Sequence, residues 1–290
     1  MFNLFGAFIT TEVAKTIGKG IILPEVISQQ LLIFALVGAI IWVILSTRLG
    51  IPISVTHSLL GGLVGTALIS VGISALINSG LIKIALGMFL APIIGFLIGI
   101  VLILSFSWLI TLLNKFYLTG SKLSSFKISQ GFRLGQIFSA SAVSLSHGMN
   151  DSQNAMGIIT ASLLAGGFLT EFKVPFWVIL GSGIFMALGT FYGGQNVIKT
   201  LGRKIYRIQP FHGFCAEISS ALVIIFQSLA GIPLSTTQVI SSAVIGLGAI
   251  ERRASVNWRK VIEIFFTWIF TIPGAAIISG FLFFIFKILA

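Results

Sequence analysis

The sequence predicts an all-α polytopic membrane protein, built as an inverted-topology internal repeat with interrupted helices at the membrane midplane. Three observations predict it. First, of 290 residues 56% are hydrophobic and 9% are charged, against about 25% charged in an ordinary soluble domain. The mean hydropathy is +1.09. A soluble fold needs a largely polar exterior and could not hide so much apolar surface. That excludes a soluble enzyme and a nucleic-acid partner. Second, long apolar runs without strand alternation favour helices over a barrel. Third, the chain resembles itself at a fixed spacing. The single cysteine, Cys215, excludes an internal disulfide framework and a multi-cysteine metal centre.

A spanning helix needs about 20 mostly apolar residues. Residues 28–47 supply one. Residues 51–72 are apolar but rich in Gly, Ser and Thr, and 84–116 can cross with a tilt and a kink at Pro92. Residues 117–133, with Lys122, Lys127 and Arg133, read as a basic cytoplasmic linker between a first repeat, 1–116, and a second, 134–290. Residues 134–146 and 154–169 read as two half-length pieces flanking His147-Gly-Met-Asn-Asp-Ser-Gln153. Further spans follow at 174–195 and 211–230. Residues 231–250 are again rich in small residues, and 258–290 form the last long span around Pro273.

The repeat is carried by special residues rather than by hydrophobicity. Gly50-Ile-Pro-Ile-Ser-Val-Thr-His57 aligns with Gly231-Ile-Pro-Leu-Ser-Thr-Thr-Gln238 at an offset of 181. At the same offset Gly65 meets Gly246, Pro92 meets Pro273 and Gly99 meets Gly280. Val13–Lys19 matches Val197–Arg203 at an offset of 184. Internal duplication marks transporters, whose site lies at the repeat interface.

Charge placement gives the orientation. The net charge is +11, from 18 Lys and Arg against 7 Asp and Glu. In the second copy Lys199, Arg203, Lys204 and Arg207 share one loop, and Arg252, Arg253, Arg259 and Lys260 another. The matching stretches of the first copy are balanced (Lys15 and Lys19 with Glu12 and Glu25) or uncharged (70–79). The positive-inside bias puts the second copy's loops in the cytoplasm and the first copy's outside, so the copies are inverted. The path closes if 51–72, 134–169 and 231–250 each count as one interrupted crossing.

Asp151 lies within an otherwise apolar segment. An ionised carboxylate at membrane depth is costly, and it faces a cavity, binds a cation or glues helices through hydrogen bonds. Asn150, Ser152, Gln153 and Asn154 add neutral oxygens around it, and Gly148 is expected to interrupt the helix and free main-chain carbonyls. His147, four residues earlier, is placed to pair with Asp151. The two Gly-Ile-Pro-x-Ser-x-Thr segments each predict a helix end followed by a Pro-started helix. Ser54 and Thr56 in one, and Ser235, Thr236 and Thr237 in the other, then join free backbone N–H groups in an anion-binding arrangement. The alternative is a pair of ordinary Ser/Thr caps. Glu217 either faces the same cavity or pairs with a basic group such as Arg203. Ser54 and His57 lack an activating third group, and Gln238 replaces the His in the second copy, so hydrolysis is rejected.

At these residues the chain resembles the inorganic phosphate transporter (PiT) family. His147-Gly-Met-Asn-Asp-Ser-Gln-Asn-Ala-Met-Gly157 resembles its H-G-A-N-D signature. Pro52–His57 and Pro233–Gln238 resemble its paired P-x-S-T-T-H segments, and Gly193-Gly194 through Ile205 resembles the link between its second-half helices. The resemblance covers essentially the whole chain. It implies a multi-pass carrier of the cell membrane, not an enzyme. Such a carrier moves inorganic phosphate with Na⁺ or H⁺ as coupling ion, needs no cofactor and admits a homodimer. It also implies that Asn150, Asp151 and Asn154 lie around coupling cation and phosphate, and that Ser54, Thr56, Ser235, Thr236 and Thr237 bind phosphate. A permease for sulfate or another oxyanion is the alternative substrate reading, and a non-transporting membrane binding subunit the alternative class.

Three departures stand out. Val55 replaces the first Thr of the first hydroxyl segment, and Gln238 replaces the usual His of the second. The family has two N-D motifs where this chain shows one. Residues 1–10 align with the second half of the span 174–195. Ten helical residues reach about 15 Å, half of a hydrocarbon core of about 30 Å. The sequence therefore predicts an N-terminally shortened chain, with the other Asn-Asp pair upstream; a short protein completed by a partner is the alternative.

Overall fold

The computed structural model describes residues 1–116 and 125–289. Among them every regular element is helical, and the extended pairing is an isolated bridge between Ile22 and Leu76. The helices are α1 (Phe2–Gly6), α2 (Glu12–Lys19), α3 (Gln29–Arg48), α4 (Val55–Ser70), α5 (Asn78–Phe116) and α6 (Ser125–Ala165). They continue with α7 (Phe176–Tyr192), α8 (Gln195–Lys199) running into a π-helical turn at Thr200–Ile205, α9 (Pro210–Leu229), α10 (Thr236–Arg252) and α11 (Trp258–Leu289). Helices α3, α5, α9 and α11 are long and apolar enough to cross a membrane. So is α7 together with the segment Gln195–Ile205, bent by 58°. The break falls at Gly193-Gly194, where Gly194 takes φ +85°.

The two copies start and stop their helices in the same way. Helix α3 ends in a Schellman turn, with Gly50 at φ +70°, Gly50 N–H donating to the Thr47 carbonyl and Ile51 N–H to that of Ser46. Helix α9 ends identically, with Gly231 at φ +63°, Gly231 N–H donating to Ser228 and Ile232 N–H to Gln227. After each proline the next helix is capped by serine. Ser54 Oγ accepts from His57 N–H at 3.1 Å, and Ser235 Oγ from Gln238 N–H at 3.2 Å. At 1.5 Å per residue, α4 and α10 reach only about 25 Å. They are the short helices that begin inside the protein.

Equivalent residues also make equivalent contacts with the partner copy exchanged. Thr16 Oγ1 donates to the Gly231 carbonyl at 2.7 Å, and Thr200 Oγ1 to the Gly50 carbonyl at 2.9 Å. Helix α4 crosses α11 where Gly65 meets the backbone of Ala276, and α10 crosses α5 where Gly246 meets the backbone of Phe96. This exchange is what a two-fold relation between copies produces, and it fits the inverted repeat.

Two expectations are corrected here. Helix α6 is continuous through His147–Gln153, not interrupted there. Its one glycine in that stretch, Gly148, serves close packing instead: a Cβ there would overlap the Asn3 carbonyl of α1. A single helical Gly costs only about 1 kcal/mol, which a helix packed on both flanks absorbs. The break lies in its neighbour, between α1 and α2 at residues 7–11. Likewise residues 125–133, expected as linker, already belong to α6. Residues 117–124, with Lys122, lie outside the described residues.

Candidate functional site

Helix α6 carries the polar stretch into the centre of the protein, where it meets both helix starts. Asn150 is fully buried, with Thr56 at 2% and Asn154 at 4% exposure. The Thr56 hydroxyl, in the first turn of α4, donates to the Leu234 carbonyl at 3.1 Å, just before the α10 cap. The two helix starts therefore touch. Asn150 Nδ2 donates to the same carbonyl at 3.2 Å and to Asp151 Oδ1 at 2.6 Å. Asn154 Nδ2 donates to Thr56 Oγ1 at 3.0 Å. Thr236 Oγ1 donates to Asp151 Oδ2 at 3.2 Å, and His147 Nε2 lies 3.1 Å from the same oxygen. Among the described residues Asp151 forms no ion pair with Lys or Arg.

Several groups remain free. Asn154 Oδ1 is buried without a hydrogen-bond partner, a costly arrangement for a polar atom. Helix geometry leaves the N–H groups of Val55, Thr56, Thr236 and Thr237 without main-chain acceptors. The serine caps take only His57 N–H and Gln238 N–H. Asp151 contributes negative charge beside these donors. The arrangement offers carboxylate, amide, hydroxyl and carbonyl oxygens to a hard cation, and N–H and hydroxyl donors to an oxyanion, side by side.

The structure sorts the sequence candidates. Asn150, Asp151, Asn154, Thr56 and Thr236 are joined in one hydrogen-bonded cluster through the Leu234 carbonyl. Ser54 and Ser235 turn their hydroxyl oxygens back onto their own helices as caps. Thr237 is half-buried, and its hydroxyl takes part in none of these bonds. Ser152 and Gln153 do not surround Asp151 as expected. Ser152 Oγ donates to the Gly148 carbonyl within α6. Gln153 Oε1 accepts from Ala14 N–H at 2.9 Å, supporting the first turn of α2. Glu217 meets neither Arg203 nor this cluster; it accepts from Ser139 of α6.

Three participants escaped the sequence reading: the Leu234 carbonyl, Ser228 Oγ, which donates to Asn150 Oδ1 at 3.4 Å, and Asn3, whose Oδ1 lies 3.3 Å from His147 Nδ1. A count of carbonyls left free before the α10 start would have flagged Leu234. Ser228 lay in a span with no motif, and Asn3 in a half-helix too short to have a partner assigned.

An apolar helical protein that joins two exchanged halves around a largely enclosed carboxylate and two helix starts has the build of a multi-pass membrane carrier. The chain belongs to the phosphate transporter family, whose model matches residues 1–279. It is 41% identical over 278 residues to a probable low-affinity inorganic phosphate transporter of Rhizobium meliloti (strain 1021), covering 96% of this chain and 80% of that one. A protein of the same description from Mycobacterium tuberculosis (strain ATCC 25618 / H37Rv) is 39% identical over 97% of this chain and 66% of its own length. A solved structure described as the sodium-dependent phosphate transporter superposes with a TM-score of 0.85 at 27% identity, over 100% of this chain and 88% of that one.

Proposed function

We propose that the chain is a secondary carrier that binds inorganic phosphate at the meeting of the α4 and α10 starts and moves it together with Na⁺. The observation that carries this reading is the Asp151 carboxylate placed directly against that meeting point, bonded to Thr236 and to Asn150. Asp151, Asn150 and Asn154 are the cation side of the site. Thr56, Thr236, Thr237 and the free N–H groups beside them are the phosphate side, with Ser54 and Ser235 fixing the helix starts. Na⁺ is preferred to H⁺ because the oxygens here suit a hard cation, and because the similar solved protein is named as sodium-dependent. Phosphate is preferred to sulfate because a protonated phosphate oxygen can donate a hydrogen bond to an acceptor such as Asp151, whereas sulfate offers no donor at neutral pH.

Thr56→Val and Thr236→Val test the phosphate side. Each removes one hydroxyl from the cluster while nearly keeping side-chain volume. Loss of a hydrogen bond to a charged group costs about 1.5–3 kcal/mol, roughly tenfold or more in affinity. Phosphate binding by the purified variants should weaken by that factor, with excess sulfate failing to compete in the unsubstituted protein. Unchanged affinity in both variants would reduce these residues to packing caps.

A further inference from the structure

A second concentration of charge lies away from this site, where the end of α2 meets the start of α5. A basin of about 430 Å³ is walled by Glu12, Lys15, Thr16, Lys19, Ser79 and Lys83. Three lysines and one glutamate line it. Lys15 pairs with Glu12, Lys19 lies 5.9 Å above the Phe172 ring, and Lys83 has no ion-pair partner among the described residues. The walls are fixed relative to each other. Ile77 N–H donates to the Ile21 carbonyl and Leu23 N–H to that of Ala75, both at 2.9 Å, and Gly80 packs directly on the backbone of Gly20. Thr16, in the same wall, holds the Gly231 carbonyl at 2.7 Å. From Gly231 the chain runs through Pro233 to Ser235 and Thr236 of the central site.

We propose that this basin is a recruitment site for the phosphate oxyanion, separate from the Asp151–Thr236 site and preceding it. The proposal rests on the reading of the chain as a phosphate carrier and adds the step before binding. Lysines that share the wall of one basin in excess over carboxylates repel each other unless an anion joins them. A walled cationic cleft focuses the field and raises local anion concentration by roughly 10–10³-fold. The Debye length at physiological salt is about 8 Å, so the effect acts on an anion already at the mouth. The repeat supplies a counterpart: Lys199 and Arg203 stand at the positions of Lys15 and Lys19, on the segment whose Thr200 holds Gly50. Each half thus carries a basic pair on the segment that clasps the other half's helix start.

The test needs a readout independent of transport. Ser79→Cys in a Cys215→Ser background puts a thiol in the basin. Its modification by a negatively charged methanethiosulfonate, relative to a positively charged one and normalised to a free thiol, should be favoured about tenfold. Inorganic phosphate should slow that reaction, in the Asp151→Asn background as well. The preference should disappear when Lys15, Lys19 and Lys83 are all replaced by Gln, and should fade near ~1 M salt. In uptake assays the same triple replacement should raise KM for phosphate several-fold more than it changes the maximal rate. No preference for the anionic reagent, or a preference that survives the triple replacement, overturns the proposal. Phosphate protection that is present in phosphatidylcholine vesicles and lost in vesicles containing phosphatidylglycerol also overturns recruitment and gives the basin to a lipid headgroup. Absent uptake with the labelling pattern intact would strike the carrier reading and leave the basin standing as an anion site.

Discussion

Asp151→Asn is expected to abolish concentrative phosphate uptake while leaving folded protein in the membrane. Asparagine keeps the size of the side chain and can still accept at one oxygen. It removes the negative charge that would hold a cation at membrane depth. It also puts an amide donor where the carboxylate now accepts from Thr236 or Asn150, at 3.2 and 2.6 Å. Two donors would then face each other at the joint between α6 and the α10 start. Uptake by the reconstituted variant should fall to the rate of empty vesicles, with size-exclusion behaviour in detergent unchanged. A variant that transports with its full cation dependence would remove Asp151 from the mechanism.

Gly65→Val should leave little folded protein. At Gly65 the backbones of α4 and α11 meet, and a Cβ would overlap the Ala276 carbonyl, with the Ala276 carbonyl carbon and Cα close behind. Gly280 leans on the same crossing from the other side. None of these neighbours is a side-chain tip that could rotate away. Overpacking a core typically costs about 1–3 kcal/mol, and a collision with backbone on a helix pair that anchors one half to the other lies at or above the top of that range. Gly181→Ala is the control, since nothing lies within 4 Å of a Cβ there. Thermal unfolding in detergent should show a large loss for Gly65→Val and almost none for Gly181→Ala. Equal melting of Gly65→Val and the unsubstituted protein would mean that α4 and α11 do not cross so closely.

The elements that depend on composition were legible in the sequence. Membrane-length apolar runs gave α3, α7, α9 and α11 closely and the end of α5, whose start at Asn78 lies upstream of the run read from 84, because burial in lipid leaves the chain little choice of structure. The short helices α4 and α10 were legible because Gly, Pro and Ser each fix a backbone feature: the positive φ of Gly50 and Gly231, the end of one helix, and the cap of the next. Position 148 was not legible. Glycine permits both a break and a close approach, and only the presence of Asn3 against it decides between them. The same limit applies to Gln153, whose oxygen was assigned to Asp151 but caps α2 instead. A side chain in a helix can point to either neighbour, and the sequence does not say which helix packs where. Of the candidate site, Asn150, Asp151 and Asn154 were legible as neighbours because they follow one another on a single helix, and the structure links them through Thr56 and the Leu234 carbonyl. In the second hydroxyl segment the bond to Asp151 comes from Thr236, which stands where the first copy has Val55. The copies share their helix starts, yet differ at the residue that contacts the carboxylate.

The central claim is that the chain carries phosphate against its gradient, and the most direct measurement is uptake of radiolabelled phosphate into proteoliposomes containing the purified protein. With an inward Na⁺ gradient, phosphate should accumulate above its external concentration, and collapse of that gradient should release it. Accumulation driven by a proton gradient alone would move the coupling to H⁺ and keep the carrier. Equilibration no faster than in protein-free vesicles, under either gradient, would contradict the account.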